Sequence, residues 1–405
     1  MMKADRSCKR RGNCQEPEPT ASPIRSRNPL ATSRVRPPHA RTSIIFIMRI
    51  LVIDPNPSFG GGMERFSLNL AAALSARGHS IFLAYEHAGT MLVDYRAFIS
   101  GELATRLPGF PLRRPLQTLK QLIVLSRFIF RNDIELVFSS HLSFIRVGAA
   151  LRCITGREAF FHLGLPVTFS PLSTRLAFNM VTGIGPAAHT LDTWRQRGWP
   201  SSRLFQVRNW VDPNIFAPSA NRITLREKLG ISSRDRLIVY VGRITKDKGS
   251  ELLIDAFLPI HSKYDNIHLI LIGKRDNNIN IPAIDRIRHY VPTSRPQDAY
   301  AAADIAVVPS TGPDTFPLAL LEAMSSSTLV LATPTGAMPD VLGAENSDLL
   351  IRPANSTTLT ELLDRWIQDD ERRIHRAKNL RSRVVALYGP DDAVAKYEEL
   401  FLERR

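Results

Sequence analysis

From Met48 onward, short apolar runs alternate with amphipathic stretches. Arg49–Ile53, Ile81–Tyr85, Leu136–Ser139, Ala159–His162 and Leu204–Val207 read as buried strands. Between them, helical spacing covers Met63–Ala76 and His189–Arg197, and an apolar-striped helix is expected over Leu116–Phe130. Around residues 209–218 the texture breaks at Asp212-Pro213 and Ala217-Pro218, which marks a linker. Alternation then restarts. A short helix closes over Leu225–Leu229, and strands are predicted at Leu237–Val241, Ile267–Ile272, Asp304–Val308 and Leu329–Ala332, with a helix beginning at Ser250. Strand–helix alternation implies parallel sheets covered on both faces. Two such halves place a ligand between them, at the carboxyl ends of the strands.

Before Met48 the pattern is absent. Residues 1–47 are rich in Arg, Pro and Ser and hold ten Lys and Arg against three Asp and Glu. Three readings stay open: a disordered tail, an organelle transit peptide, or a stretch upstream of the true start. The tail supplies nearly half of the net charge of +15. The moderately basic remainder suits an anionic ligand or an anionic membrane surface. Nucleic acid ranks low, since no zinc-binding spacing, RNP aromatic motif or basic helix with heptads is present. Of three cysteines, Cys8 and Cys14 lie in the tail and Cys153 in the body, which points to a reducing compartment. No apolar run reaches the length of a membrane span.

Three constellations stand where chemistry is expected. Gly60-Gly61-Gly62-Met63-Glu64-Arg65 joins a strand to a helix, where glycines permit positive φ and the helix N-terminus offers free N–H groups to an anion. Its spacing is not the dinucleotide fingerprint. Gly242-Arg243 through Lys248-Gly249 follows a strand, so a planar guanidinium and a point-charge ammonium could converge on one diphosphate. In Asp314-Thr315-Phe316-Pro317-Leu318 through Glu322, the first carboxylate sits in a loop and the second inside an apolar helical run. A buried acid there needs a partner, and a pair of ligand hydroxyls would serve. His141 and His162 each follow a strand on the ligand edge. No metal-site spacing and no Asp-x-Asp pair is found, so a phosphate leaving group needs fixed cations.

Taken in order, these blocks resemble the GT-B-fold retaining glycosyltransferases of family 4, or group 1. The likeness runs from Met48 almost to the C-terminus and includes Arg208-Asn-Trp-Val-Asp212, Phe216-Ala-Pro218 and the closing Tyr388-Gly-Pro through Tyr397-Glu-Glu-Leu-Phe401. It implies two doubly wound Rossmann-like domains facing a central cleft. The acceptor side would span 48–212 and the nucleotide-sugar donor side 213–384, with 385–405 packing back on the first domain. It implies that Arg243 and Lys248 bind the donor diphosphate and stabilise it as it leaves. Glu322 would hold the ribose hydroxyls, Asp314 would contact the sugar, and the backbone of Thr315, Phe316, Pro317 and Leu318 would reach the phosphates. His162 would sit near sugar and acceptor, with Gly61 and Gly62 lining the cleft.

No cofactor or metal is expected beyond the co-substrate, a UDP- or GDP-sugar. The expected acceptor is a glycan or lipid-linked glycan of the cell envelope, handled in the cytoplasm or at the inner face of the membrane. The chain departs from the family pattern at Asp314, where Glu is usual, and at Pro317, Trp210 and near Ser327, where Gly is usual. A sugar-nucleotide epimerase and a non-catalytic nucleotide-sugar-binding subunit are the alternatives.

Overall fold

The computed structural model describes residues 46–58, 61–108, 115–164 and 171–405. The tail through residue 45, with Cys8 and Cys14, lies outside them, as does Gly60.

Residues 47–405 form one body. The first sheet among the described residues has strands β1 (Arg49–Ile53), β2 (Ser80–Tyr85), β3 (Gly101–Ala104), β4 (Leu136–Ser139), β5 (Glu158–His162), β6 (Thr182–Gly185) and β7 (Leu204–Gln206). They lie parallel in the order β3-β2-β1-β4-β5-β6-β7. The accompanying helices are α1 (Gly62–Ala76), α2 (Leu92–Arg96), α3 (Pro115–Arg131), α4 (Ile145–Thr155), α5 (Pro171–Phe178) and α6 (Ala188–Gln196).

The second sheet has β8 (Arg236–Val241), β9 (Ile267–Ile272), β10 (Ile287–Tyr290), β11 (Ile305–Val308) and β12 (Leu329–Ala332), parallel in the order β10-β9-β8-β11-β12. Its helices are α7 (Arg222–Lys228), α8 (Ser250–Lys263), α9 (Pro296–Ala302), α10 (Leu318–Ser325), α11 (Met338–Leu342), α12 (Ser356–Gln368) and α13 (Asp370–Leu387).

Each sheet reverses its strand order once, between β1 and β4 in the first and between β8 and β11 in the second. A crevice opens at the carboxyl ends of the strands at such a point. The chain closes with α14 (Pro390–Arg404), whose Val394, Tyr397 and Phe401 are buried with Ile50, Phe138 and Phe160 of the first sheet. The segment between the domains is anchored at both ends. Trp210 packs edge-on against Phe66 of α1 with centroids 5.0 Å apart, while Val211 N–H donates to the Tyr388 carbonyl at 3.0 Å.

Candidate functional site

At the β8/β11 crevice, two loops are locked together before any side chain is considered. The Asp247 carbonyl accepts N–H bonds from Thr311 (3.0 Å) and Gly312 (2.8 Å). Gly249 adopts φ +72°, and a Cβ there would stand 1.8 Å from the Pro309 carbonyl oxygen, so only glycine permits this approach. Gly336, at φ +58°, closes in the same way on the Asp314 carbonyl, while Ala337 N–H donates to the Thr315 carbonyl at 3.0 Å. The segment 310–317 is thereby held from both sides.

On this frame Lys248 Nζ lies 2.6 Å from Asp314 Oδ2, which also accepts from Ser310 Oγ at 2.9 Å. Arg243 Nη2 is 3.3 Å from Asp247 Oδ2 on a half-exposed surface. Each of the two cations therefore has a carboxylate partner of its own. Phe316 is buried, and its carbonyl accepts from Asn209 Nδ2 at 3.0 Å. Pro317 precedes α10 without a side-chain cap, leaving that helix's first N–H groups uncapped. Leu318 packs against the core of the first sheet.

Glu322 points off α10 into the space between the sheets. Its partner is Arg65 of α1, Nη1 to Oε1 3.6 Å. Burial raises its pKa and the Arg65 charge opposes that rise. The acid inside the apolar run is thus met by a guanidinium from the other domain, which sequence spacing did not reveal.

The glycine loop is simpler than its sequence implies. Gly61 is extended, φ −161° and ψ 176°, a conformation open to any residue, so positive φ is not why glycine stands there. A Cβ on Gly61 would fall 2.7 Å from Glu64 Oε2, the movable end of a flexible side chain, so space does not demand glycine there either. Gly62 opens α1 with free space around its Cα.

His162 ends β5 apart from the Arg243, Lys248 and Asp314 group. It is buried, stacks on Phe66 with centroids 3.8 Å apart, and its Nδ1 lies 3.1 Å from the Tyr397 hydroxyl of α14. Burial lowers its pKa to about 3, so the ring is neutral at ordinary pH. His141, after β4, sits beside Asp54, which follows β1. Among the described residues no three His, Cys, Asp or Glu side chains group to hold a metal ion.

Comparison with known proteins fits this architecture. The model for glycosyl transferases group 1 matches residues 221–383, and that for glycosyltransferase family 4 matches 60–239. A D-inositol 3-phosphate glycosyltransferase of Corynebacterium aurimucosum is 27% identical over 208 residues, 47% of this chain and 49% of that protein. A lipopolysaccharide 1,2-N-acetylglucosaminetransferase of Salmonella typhimurium is 25% identical over 192 residues, 43% of this chain and 50% of that protein. The chain thus spans about half the length of the relatives it matches. Among solved structures, Anabaena HepE in complex with UDP and glucose superposes with a TM-score of 0.74 at 19% identity, covering 88% of this chain and 99% of that one. WaaG, a glycosyltransferase involved in lipopolysaccharide biosynthesis, gives 0.63 at 14% identity, covering 87% and 99%. At these identities the structures speak for the fold, two parallel-sheet α/β domains of the GT-B kind. The chain belongs to the group 1 glycosyltransferases.

Proposed function

We propose that the protein is a retaining glycosyltransferase. It moves a sugar from a UDP- or GDP-linked donor to a glycan or lipid-linked acceptor in cell-envelope synthesis. The observation that carries this reading is the β8/β11 crevice, where the loop bearing Arg243 and Lys248 interlocks with the segment that leads into the uncapped start of α10, and Glu322 lies buried one turn into that helix. Fixed cations and a helix N-terminus are what a diphosphate needs, both to bind and to leave. In this reading Arg243 and Lys248 take the diphosphate, assisted by backbone groups of Thr315, Phe316 and Leu318. Glu322 takes the ribose hydroxyls and Asp314 the sugar. His162, with Gly61 and Gly62, belongs to the opposite wall. Charge stabilisation by two side-chain cations dispenses with a metal. The leaving phosphate assists the incoming hydroxyl on the same face of the sugar, so no protein nucleophile is required. The HepE complex with UDP and glucose supports the donor class by analogy of fold.

The acceptor side includes a surface suited to membranes. Leu116, Leu119, Ile123 and Phe130 of α3 are exposed along one stripe, flanked by Lys120, Arg127 and Arg131. The helix contains no acid. Such a face matches an anionic lipid surface, which would hold the protein at the inner face of the membrane. No helix among the described residues is long and apolar enough to cross it.

A second reading, a non-catalytic nucleotide-sugar-binding subunit, is favoured by Pro317, which removes one N–H from the phosphate-facing segment. Thermal stability in UDP, GDP, ADP and CDP, each with and without its sugar, tests both. Stabilisation by one base, lost in Glu322→Ala, supports the donor site; turnover with an acceptor separates enzyme from subunit. No stabilisation by any nucleotide overturns both.

A further inference from the structure

The first sheet has a switch point too, and it carries polar groups that the donor chemistry leaves unused. Asp54 follows β1 and His141 follows β4, the two strands between which the order turns. His141 Nε2 lies 3.2 Å from Asp54 Oδ1. Asp54 is fully buried; Oδ1 also takes the Asn56 N–H at 3.3 Å, while Oδ2 has no partner among the described residues. Tyr95 of α2 is equally buried, and its hydroxyl lies beside the Asp54 carboxylate without a well-formed hydrogen bond. Glu64, in the first turn of α1, holds a buried Oε2 without a partner. Burial first, then the charge of Asp54 and its hydrogen-bonding approach to the phenol, then the charge of Glu64, push the Tyr95 hydroxyl well above its ordinary range. Both carboxylates therefore act on one phenol.

Neither carboxylate has a Lys or Arg ion-pair partner among the described residues. Each unmet buried group costs about 1–3 kcal/mol. A set of them at a switch-point crevice is the pattern of a site whose ligand supplies the missing bonds.

We infer that this crevice binds uncharged hydroxyls of the acceptor and excludes phosphate, an inference that rests on the glycosyltransferase reading for the word acceptor. Carboxylates accept bonds from hydroxyls and repel an anion. His141 Nε2 rests against Asp54 without a well-formed hydrogen bond, so in this inference the other ring nitrogen, Nδ1, is the one that meets the ligand. His141, whose side chain keeps 14% of its exposure, and the half-buried Glu64 are the contacting residues; Asp54 and Tyr95 are positioning residues behind them. The crevice adjoins the interdomain space. Ser140 Oγ donates to the Met63 carbonyl at 3.0 Å, and Arg65, next to Glu64, reaches Glu322 across the gap.

The test reads the site without requiring turnover. Protein labelled with ¹⁵N-histidine, its His141 signal assigned by His141→Gln, is titrated with neutral probes: methyl α-glucoside, methyl α-mannoside, N-acetylglucosamine and myo-inositol. The phosphorylated probes are glucose 6-phosphate and inositol 3-phosphate. At least one neutral probe moves the His141 Nδ1 resonance saturably, and its affinity falls tenfold or more in Glu64→Gln at unchanged thermal midpoint. No response to any neutral probe, or a phosphorylated probe binding as tightly as its neutral counterpart, overturns the inference. UDP stabilisation is scored separately. A His141 response without it keeps the hydroxyl site and sinks the donor reading, and the reverse result does the opposite.

Discussion

Arg65 of α1 and Glu322 of α10 meet at 3.6 Å between the two sheets, one of the polar ties that link the domains. The carboxylate is 7% exposed and the guanidinium 19%. Removing one partner of a buried pair leaves an uncompensated charge and costs about 3–5 kcal/mol. Arg65→Met should therefore lower the urea midpoint markedly, and adding Glu322→Gln should restore most of the loss. The pH dependence has a definite sign. Burial already raises the Glu322 pKa against the pull of Arg65, so without Arg65 it rises further. The folded state then binds that proton more tightly than the unfolded state, and stability falls as pH rises above the ordinary carboxylate range. The deficit of Arg65→Met should shrink on acidification and vanish in the double variant. A deficit that ignores pH would show that the pair is incidental.

Lys248 is held by Asp314 at 2.6 Å, so an incoming diphosphate competes with that carboxylate for the ammonium. Asp314→Asn removes the competitor. It should tighten UDP binding several-fold, about 1 kcal/mol for a partly exposed charge pair, while slowing sugar transfer. Lys248→Met should weaken UDP and lower kcat by about 10²–10³, the usual loss for one preorganised group facing developing charge. Calorimetric titration with UDP decides; weaker binding in Asp314→Asn would remove Lys248 from the diphosphate site.

Most strands were legible because each is a short apolar run ended by Gly, Pro or a charged residue, as at Arg49–Ile53 and Leu237–Val241. Those missed lack that signature. Thr182–Gly185 contains two glycines, yet it is a buried strand, because a Cβ on Gly183 would stand within 3.0 Å of Leu163, Leu204 and Trp199. Ile287–Tyr290, with Arg288 and His289, is an edge strand with little apolar content. The loops bearing Arg243, Lys248 and Asp314 were legible from residue type after a strand. The Arg65–Glu322 and Asp54–His141 contacts were not, because strand order, not spacing, brings them together. The available signal was a charged or polar residue directly after a buried strand. It marks Asp54, directly after β1, and, one residue further from its strand, His141.

Ser327 adopts φ +55°, in the left-handed region, near where the family pattern expects glycine. An L side chain there costs roughly 1–2 kcal/mol. Ser327→Gly should raise the thermal midpoint by a degree or more with nucleotide binding unchanged. A lower midpoint would mean that the serine side chain stabilises this turn.

The stripe on α3 predicts membrane binding that is both apolar and electrostatic. Leu119 and Ile123 are 53% and 44% exposed, so Leu119→Glu with Ile123→Glu should leave the fold intact. It should abolish flotation with phosphatidylglycerol vesicles. Lys120, Arg127 and Arg131 each contribute about 1 kcal/mol near an anionic surface. Wild-type binding should therefore weaken as salt rises. Undiminished flotation of the double variant would move the contact elsewhere.

His162 gives the acid side of the stability profile. Burial brings its pKa to about 3 in the folded protein, against about 6.5 when unfolded. Between those values the unfolded chain binds the extra proton, so stability rises with pH and is lost as pH falls from about 6.5 towards 3. The slope this one group contributes approaches about 1.4 kcal/mol per pH unit. His162→Gln removes it, and its urea midpoints should decline less steeply from neutral to acid pH than those of the wild type. Tyr397→Phe keeps the titrating ring but deletes its hydroxyl partner, so it should lower stability at every pH while preserving the slope. Parallel curves for wild type and His162→Gln would mean that the imidazole charges in the folded state, and that its contact with Tyr397 opens to water in acid.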